Sequence, residues 1–172
     1  MFLIYNFTVT LFFIGLLVSI ITVLRSSQPV DKKAVVDQLL RWFVLCSIGI
    51  SYLMNTVFHT VLAEQTAEFI GWANSPFQLE VGFASLGFSL VGFIAFNGNW
   101  LCKVCAIVGP SCFLLGAAGG HIYQMVVHDN FAPGNAGSVF YTDLLLPLFG
   151  LSLLYLSKRW EHTSAPVNLV RV

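Results

Sequence analysis

Charge is what this sequence has least of. Asp, Glu, Lys and Arg make up 9% of its 172 residues while 57% are hydrophobic, and a soluble domain carries roughly 25% charged residues. So few charges cannot cover a water-facing surface, so the surface faces another solvent. The eight basic residues are matched by eight acidic ones and are scattered along the chain. No basic face is present to track a phosphate backbone, so nucleic acid is not an expected partner. No Pro/Ser-rich or charged linker divides residues 1–172, which read as one domain. A Gly-rich phosphate loop, HExxH and GxSxG are all missing. No internal repeat is visible, which counts against an inverted-repeat transporter unless the working unit is an oligomer.

What the sequence does have is long apolar blocks. They run from about Phe2 to Leu24, Leu39 to Leu62, Phe77 to Phe96, Leu101 to Val127 and Val139 to Leu156. Each is roughly 18–27 residues, enough for a helix to cross about 30 Å of hydrocarbon. The alternative for any one of them is a re-entrant segment. The first block is not built like a cleaved signal peptide, because no positive charge precedes it and Arg25 follows it.

The basic residues orient these spans. Arg25, Lys32, Lys33 and Arg41 flank the first connection, Lys103 the third, and Lys158, Arg159 and Arg171 the C-terminal tail. Numbering the sides alternately puts all eight on one side, while the opposite connections carry Glu64, Glu68 and Asp129. By the positive-inside rule the N-terminus is outside and the C-terminus cytoplasmic. Trp42, Trp72, Trp100 and Trp160 fall near expected helix ends and read as interface anchors.

Small residues mark two helix faces. Gly82, Ser85, Ser89 and Gly92 share a face of the third span, and Gly109, Cys112, Gly116 and Gly119 share one of the fourth. The expectation is a tightly packed central pair of helices, with a narrow path lined by small residues as the alternative.

Polar residues at costly depths carry the functional signal. Tyr52, Asn55 and His59 form a stripe on the second span, and His121, Gln124 and His128 repeat that spacing on the fourth. Glu80 lies about one turn inside the third span and Asp143 about one turn inside the fifth. His59, Glu80, His121 and Asp143 thus share a depth near the outer surface. Imidazole and carboxylate are the usual ligands of a transition metal in a helical bundle, and the two histidines would also serve as axial ligands of a haem. The same groups pass protons or hold a small ligand. The plain structural reading is that the carboxylates sit at helix N-termini and the histidines bond neighbouring helices.

Two outer connections bound this region. Ala63 to Ile70 has the pattern of a short amphipathic helix, Asn74-Ser75-Pro76 that of a tight turn, and Asp129 to Gly137 is dense in turn formers. Both would serve either as ordinary connections or as a lid. The pair Cys102 and Cys105 has CxxC spacing but lies at the opposite, cytoplasmic end without a second pair, so it is not read as a zinc or redox site.

The run Gly71-Trp72-Ala73-Asn74-Ser75-Pro76-Phe77-Gln78-Leu79-Glu80-Val81-Gly82-Phe83, then Gly120-His121-Ile122-Tyr123-Gln124, then Ala132-Pro133-Gly134-Asn135-Ala136-Gly137, resembles an uncharacterised family of small prokaryotic multipass membrane proteins. The likeness covers about residues 50–155. It implies a fold without a mechanism, and places Asn74, Gln78, Glu80, His121, Gln124, Asn130 and Asn135 in the signature segments.

The sequence therefore describes an all-α integral membrane bundle of about five transmembrane helices in a prokaryotic cytoplasmic membrane. Its expected centre is an outward-opening pocket for a metal ion, a proton or a small ligand. His59, Glu80, His121 and Asp143 are the candidate ligands, supported by Asn55, Asn74, Gln78, Gln124, His128, Asn130 and Asn135. A haem- or metal-dependent oxidoreductase and an accessory subunit of a membrane complex are the alternatives. Expected partners are the lipid bilayer and either further copies of the chain or a membrane complex.

Overall fold

A computed structural model describes residues 6–27 and 30–164. Phe2 and Arg171 lie outside the described residues. All regular structure within them is helical. Helix α1 is Phe7–Leu24, α2 is Lys32–Thr60, α3 is Ala63–Ile70, α4 is Phe77–Phe96, α5 is Trp100–His128, α6 is the single turn Pro133–Ala136, and α7 is Ser138–Ser164. The five long helices are each long and apolar enough to cross a membrane. Their outer faces expose Phe83, Ile94, Leu101, Leu145 and Leu148, a surface suited to lipid and a liability in water.

Helix α2 begins a full two turns before the apolar block that marks it. Asp31 caps it, accepting from Ala34 N at 2.7 Å, and the first turns are amphipathic, burying Val36 and Leu40 beneath exposed lysines. Trp42 consequently lies well inside α2 rather than at a helix end, with its ring 5.2 Å from that of Phe96. Between Val44 and Ile50 the helix widens to π geometry, and Ser51 N–H reaches back to the carbonyl of Cys46. The expected amphipathic segment forms α3. It ends at Gly71, whose φ of +73° is the left-handed conformation that glycine adopts without strain.

Small residues do pack helices together, but not the pair expected. The face of α4 formed by Gly82, Ser85, Ser89 and Gly92 is buried against α2. Ser89 Oγ donates to Gly49 O at 2.7 Å, and Asn55 Nδ2 donates to Ser85 Oγ at 2.9 Å. Helix α5 lies principally against α7, and its Gly116 and Gly119 have open space beside them. Periodicity identifies a small face but not what sits against it. In lipid, such close approach stabilises through dispersion and hydrogen bonds rather than through burial of apolar area.

The two ends of the bundle differ in character. At one end Arg41 Nη2 donates to Asn97 Oδ1 at 2.9 Å, Ser157 Oγ donates to Asp37 Oδ1 at 2.7 Å, and Lys158 lies over the Trp100 ring. Beneath these groups is a filled core of Leu40, Phe43, Val44, Ala106, Ile107 and Leu153. This is the basic end. The opposite end is hollow.

Candidate functional site

A cavity of about 830 Å³ occupies that hollow end, within the size range of small-molecule pockets. Helix α2 supplies Ser47, Ser51, Asn55 and His59 to its wall, one residue per turn, over roughly 18 Å of helix rise. Helix α5 contributes Cys112, Gly116, Gly120 and His121, and α7 contributes Thr142 and Asp143. Two members of the small stripe of α5, Cys112 and Gly116, are thus cavity wall. Helix α3 and the segment after it form the roof through Phe69, Ile70 and Trp72. Aromatic rings line much of the remaining surface, including Phe58, Phe77 and Phe113.

The connection from α5 to α7 holds the roof down. Asn130 Nδ2 donates to the carbonyls of Ile70 and Gly71, each at 3.1 Å. Asn135 is fully buried and joins three elements. Its amide nitrogen donates to Asn130 O at 2.8 Å and to His121 O at 3.3 Å. Its oxygen accepts from Trp72 Nε1 at 2.8 Å and lies 2.7 Å from His121 Nδ1. Because both carbonyl contacts require the NH₂ group, Oδ1 is the atom facing the imidazole, and Nδ1 must carry the proton.

That assignment determines the chemistry of the next contact. His121 Nε2 lies 3.5 Å from Asp143 Oδ2, and both residues are about 95% buried from solvent, at 5% exposure each. With Nδ1 protonated, an unprotonated Nε2 would turn its lone pair toward a carboxylate. The pair is therefore one that shares a single proton, as imidazolium with carboxylate or as imidazole with carboxylic acid. It is neutral overall in either form. His59 is held in the same way: Gln78 Nε2 donates to Ala63 O at 3.0 Å, which turns Oε1 toward His59 Nδ1 in a close hydrogen bond. Its Nε2 is the ring nitrogen left over.

The cavity floor holds a polar atom with no protein partner. Three buried side-chain polar atoms lack a hydrogen bond among the described residues, namely Gln38 Oε1, Trp42 Nε1 and Ser47 Oγ. Of these only Ser47 lines the cavity, and it is 1% exposed. A buried hydroxyl is costly to leave unpaired, and this one lies just behind the cavity surface.

The structure brings His59, His121 and Asp143 to the cavity wall, together with Asn55 and Gln78. It does not bring Glu80. That residue is exposed in the first turn of α4, about 200° around the helix from Gly82 and Gln78, where the N-terminal dipole favours a negative charge. Asn130 and Asn135 tie the roof rather than the wall. Asn74 and His128 are exposed and Gln124 is half-buried, and none of the three lines the cavity. Among the described residues no three His, Cys, Asp or Glu side chains converge as metal ligands. The four-ligand metal set expected from depth alone is therefore not assembled, because depth says nothing of direction around the helix. Two residues outside that expectation matter. Ser47 continues the four-residue spacing of Ser51, Asn55 and His59 one turn deeper. Trp72, read as an interface anchor, is a roof residue bonded to Asn135.

Five apolar spans around a filled core at one end and a polar-lined cavity at the other define an all-helical integral membrane protein. The chain belongs to the family described as "Family of unknown function (DUF6790)", whose family model matches residues 5–163. That match extends over more of the chain than the signature runs in the two connections. No curated protein and no solved structure matches the chain.

Proposed function

We propose that this protein binds a small amphipathic molecule in its cavity, with the His121–Asp143 pair as the polar anchor. Of the occupants read from the sequence, metal ion, proton and small ligand, the last is favoured by one observation. A cavity of about 830 Å³ with aromatic walls is far larger than a single ion or proton requires. The pair then serves recognition as the polar group of the wall to which the head of the ligand is drawn.

Gly116 provides the test. A side chain there meets nothing within 4 Å, and alanine-to-leucine types raise helix propensity over glycine by about 1 kcal/mol. Gly116→Leu is expected to fill the cavity while leaving thermal unfolding unchanged or slightly raised. Native mass spectrometry on protein extracted directly into lipid nanodiscs reads the outcome. Wild type should carry a bound small molecule and Gly116→Leu should not. Equal occupancy in the two proteins would defeat the reading.

We also propose that the cavity opens away from the cytoplasm, with the N-terminus outside. Support comes from the gathering of Arg41, Lys103, Lys158 and Arg159 near the filled end. A phosphatase fused after the C-terminus should be inactive in intact cells, and a cytoplasm-dependent fluorescent fusion should be bright. The reverse pattern would invert the topology.

A further inference from the structure

The charge of the cavity narrows the class of ligand. Among the described residues Asp143 is its only carboxylate, and no Lys or Arg lines it. The other titratable side chains on its wall are His121 and Cys112 from α5 and Tyr52 and His59 from α2. Among the described residues α1, α3 and α4 contribute none, since Glu64, Glu68 and Glu80 are exposed and do not line it. An anionic headgroup would find no fixed positive charge to pair with. A cation finds a buried carboxylate beside aromatic faces, the arrangement that holds quaternary and other weakly hydrated cations. The Trp72 ring lies at a tilt to that of His121, centroids 5.4 Å apart, which sets an aromatic ring next to the imidazole that faces Asp143.

We infer that the ligand is a lipophilic monovalent organic cation, its charge set beside Asp143 and Trp72 and its apolar body against the aromatic wall that includes Phe58, Phe77 and Phe113. The inference rests on the proposed ligand-binding function and adds the sign of the charge. The cation takes the place of the proton that His121 and Asp143 share, which is released to water, and lies between the Nε2 lone pair and the carboxylate as the proton did, so the site remains neutral when filled. A membrane-spanning carboxylate that met no cation would gain nothing from being ionised, and the shared proton is what keeps it neutral in the empty state.

Two probe ions of nearly equal size and shape, tetraphenylphosphonium and tetraphenylborate, separate charge from hydrophobicity. Equilibrium binding is measured to the protein in nanodiscs of zwitterionic lipid and corrected with empty nanodiscs. Wild type is expected to bind the cation saturably and at least tenfold more tightly than the anion. Asp143→Asn should lose that preference by tenfold or more, whereas Glu80→Gln should keep it. If Asp143→Asn fails to fold, Gly116→Leu supplies the second arm, because filling the cavity should abolish cation binding with the carboxylate intact. A preference for the anion, no preference, or wild-type cation binding in either cavity variant would overturn the inference. A neutral molecule retained by wild type, with no cation binding, would overturn the inference alone. An empty cavity together with no binding of either ion would overturn the proposed function as well.

Discussion

Gly92→Leu is expected to prevent folding. A Cβ at Gly92 would lie 2.6 Å from Gly49 N and 2.8 Å from Gly49 Cα, so the obstruction is backbone and cannot rotate away. Accommodating it means moving α4 off α2, which also breaks the bond from Ser89 Oγ to Gly49 O and loosens the π segment. Overpacking of this kind costs about 3 kcal/mol, the upper part of its usual range, and a marginal bundle has little more to lose. The measurement is thermal unfolding followed by size-exclusion in detergent. Gly92→Leu should show no monodisperse peak, whereas the same substitution at Gly116 should leave the peak and its midpoint in place. A well-folded Gly92→Leu protein would mean that α2 and α4 are not in backbone contact.

Asn135→Ala is expected to cost nearly as much for a different reason. The substitution leaves the buried Nδ1–H of His121 without a partner, takes away the bonds of the part-buried Trp72 Nε1–H and Asn130 carbonyl, and removes the second bond of the His121 carbonyl. Leaving a buried polar group unpaired costs about 1–3 kcal/mol, and groups sharing one hub do not add fully, so a loss of about 3 kcal/mol is expected. The functional loss should exceed the structural one. Without the amide oxygen the His121 imidazole is free to choose its tautomer, and the roof loses its bond through Trp72. Asn135→Asp keeps that oxygen but turns a second, acceptor oxygen toward the carbonyls of Asn130 and His121, and should cost at least as much as Asn135→Ala. Thermal midpoint and retained small molecule are read together. An unchanged midpoint with unchanged occupancy in Asn135→Ala would remove Asn135 from the centre of the site.

Much of the fold was legible because a lipid environment writes it in long apolar runs. All five spans were readable, and their ends differ most where the pattern turns amphipathic, as in the first two turns of α2. The packing face of α4 was equally readable from Gly82, Ser85, Ser89 and Gly92. Its partner was not, since spacing along one helix carries no information about which neighbour fills the groove. For the site, depth placed His59, His121 and Asp143 at one level of the bundle, and they do reach one cavity. Depth misled at Glu80. The same spacing that makes Gly82 an inward residue puts Glu80 on the opposite face, so the signal was present in the periodicity of α4. Asn135 was visible only as part of a turn-rich run, because its importance comes from contacts made across three elements.

The unequal filling of the bundle has a mechanical consequence. The basic end is a solid wedge of interlocked leucine, phenylalanine and alanine side chains, and the other end is a hollow roofed by a single short helix. Deformation will concentrate where packing is thinnest, so movement at the hollow end is limited by the few side-chain bonds that tie α3 to its neighbours, those of Asn130, Gln78 and Thr66. The molecule need not unpack its core to admit or release what it holds. Its stiffness is graded along the membrane normal, and the grade runs toward the mouth of the cavity.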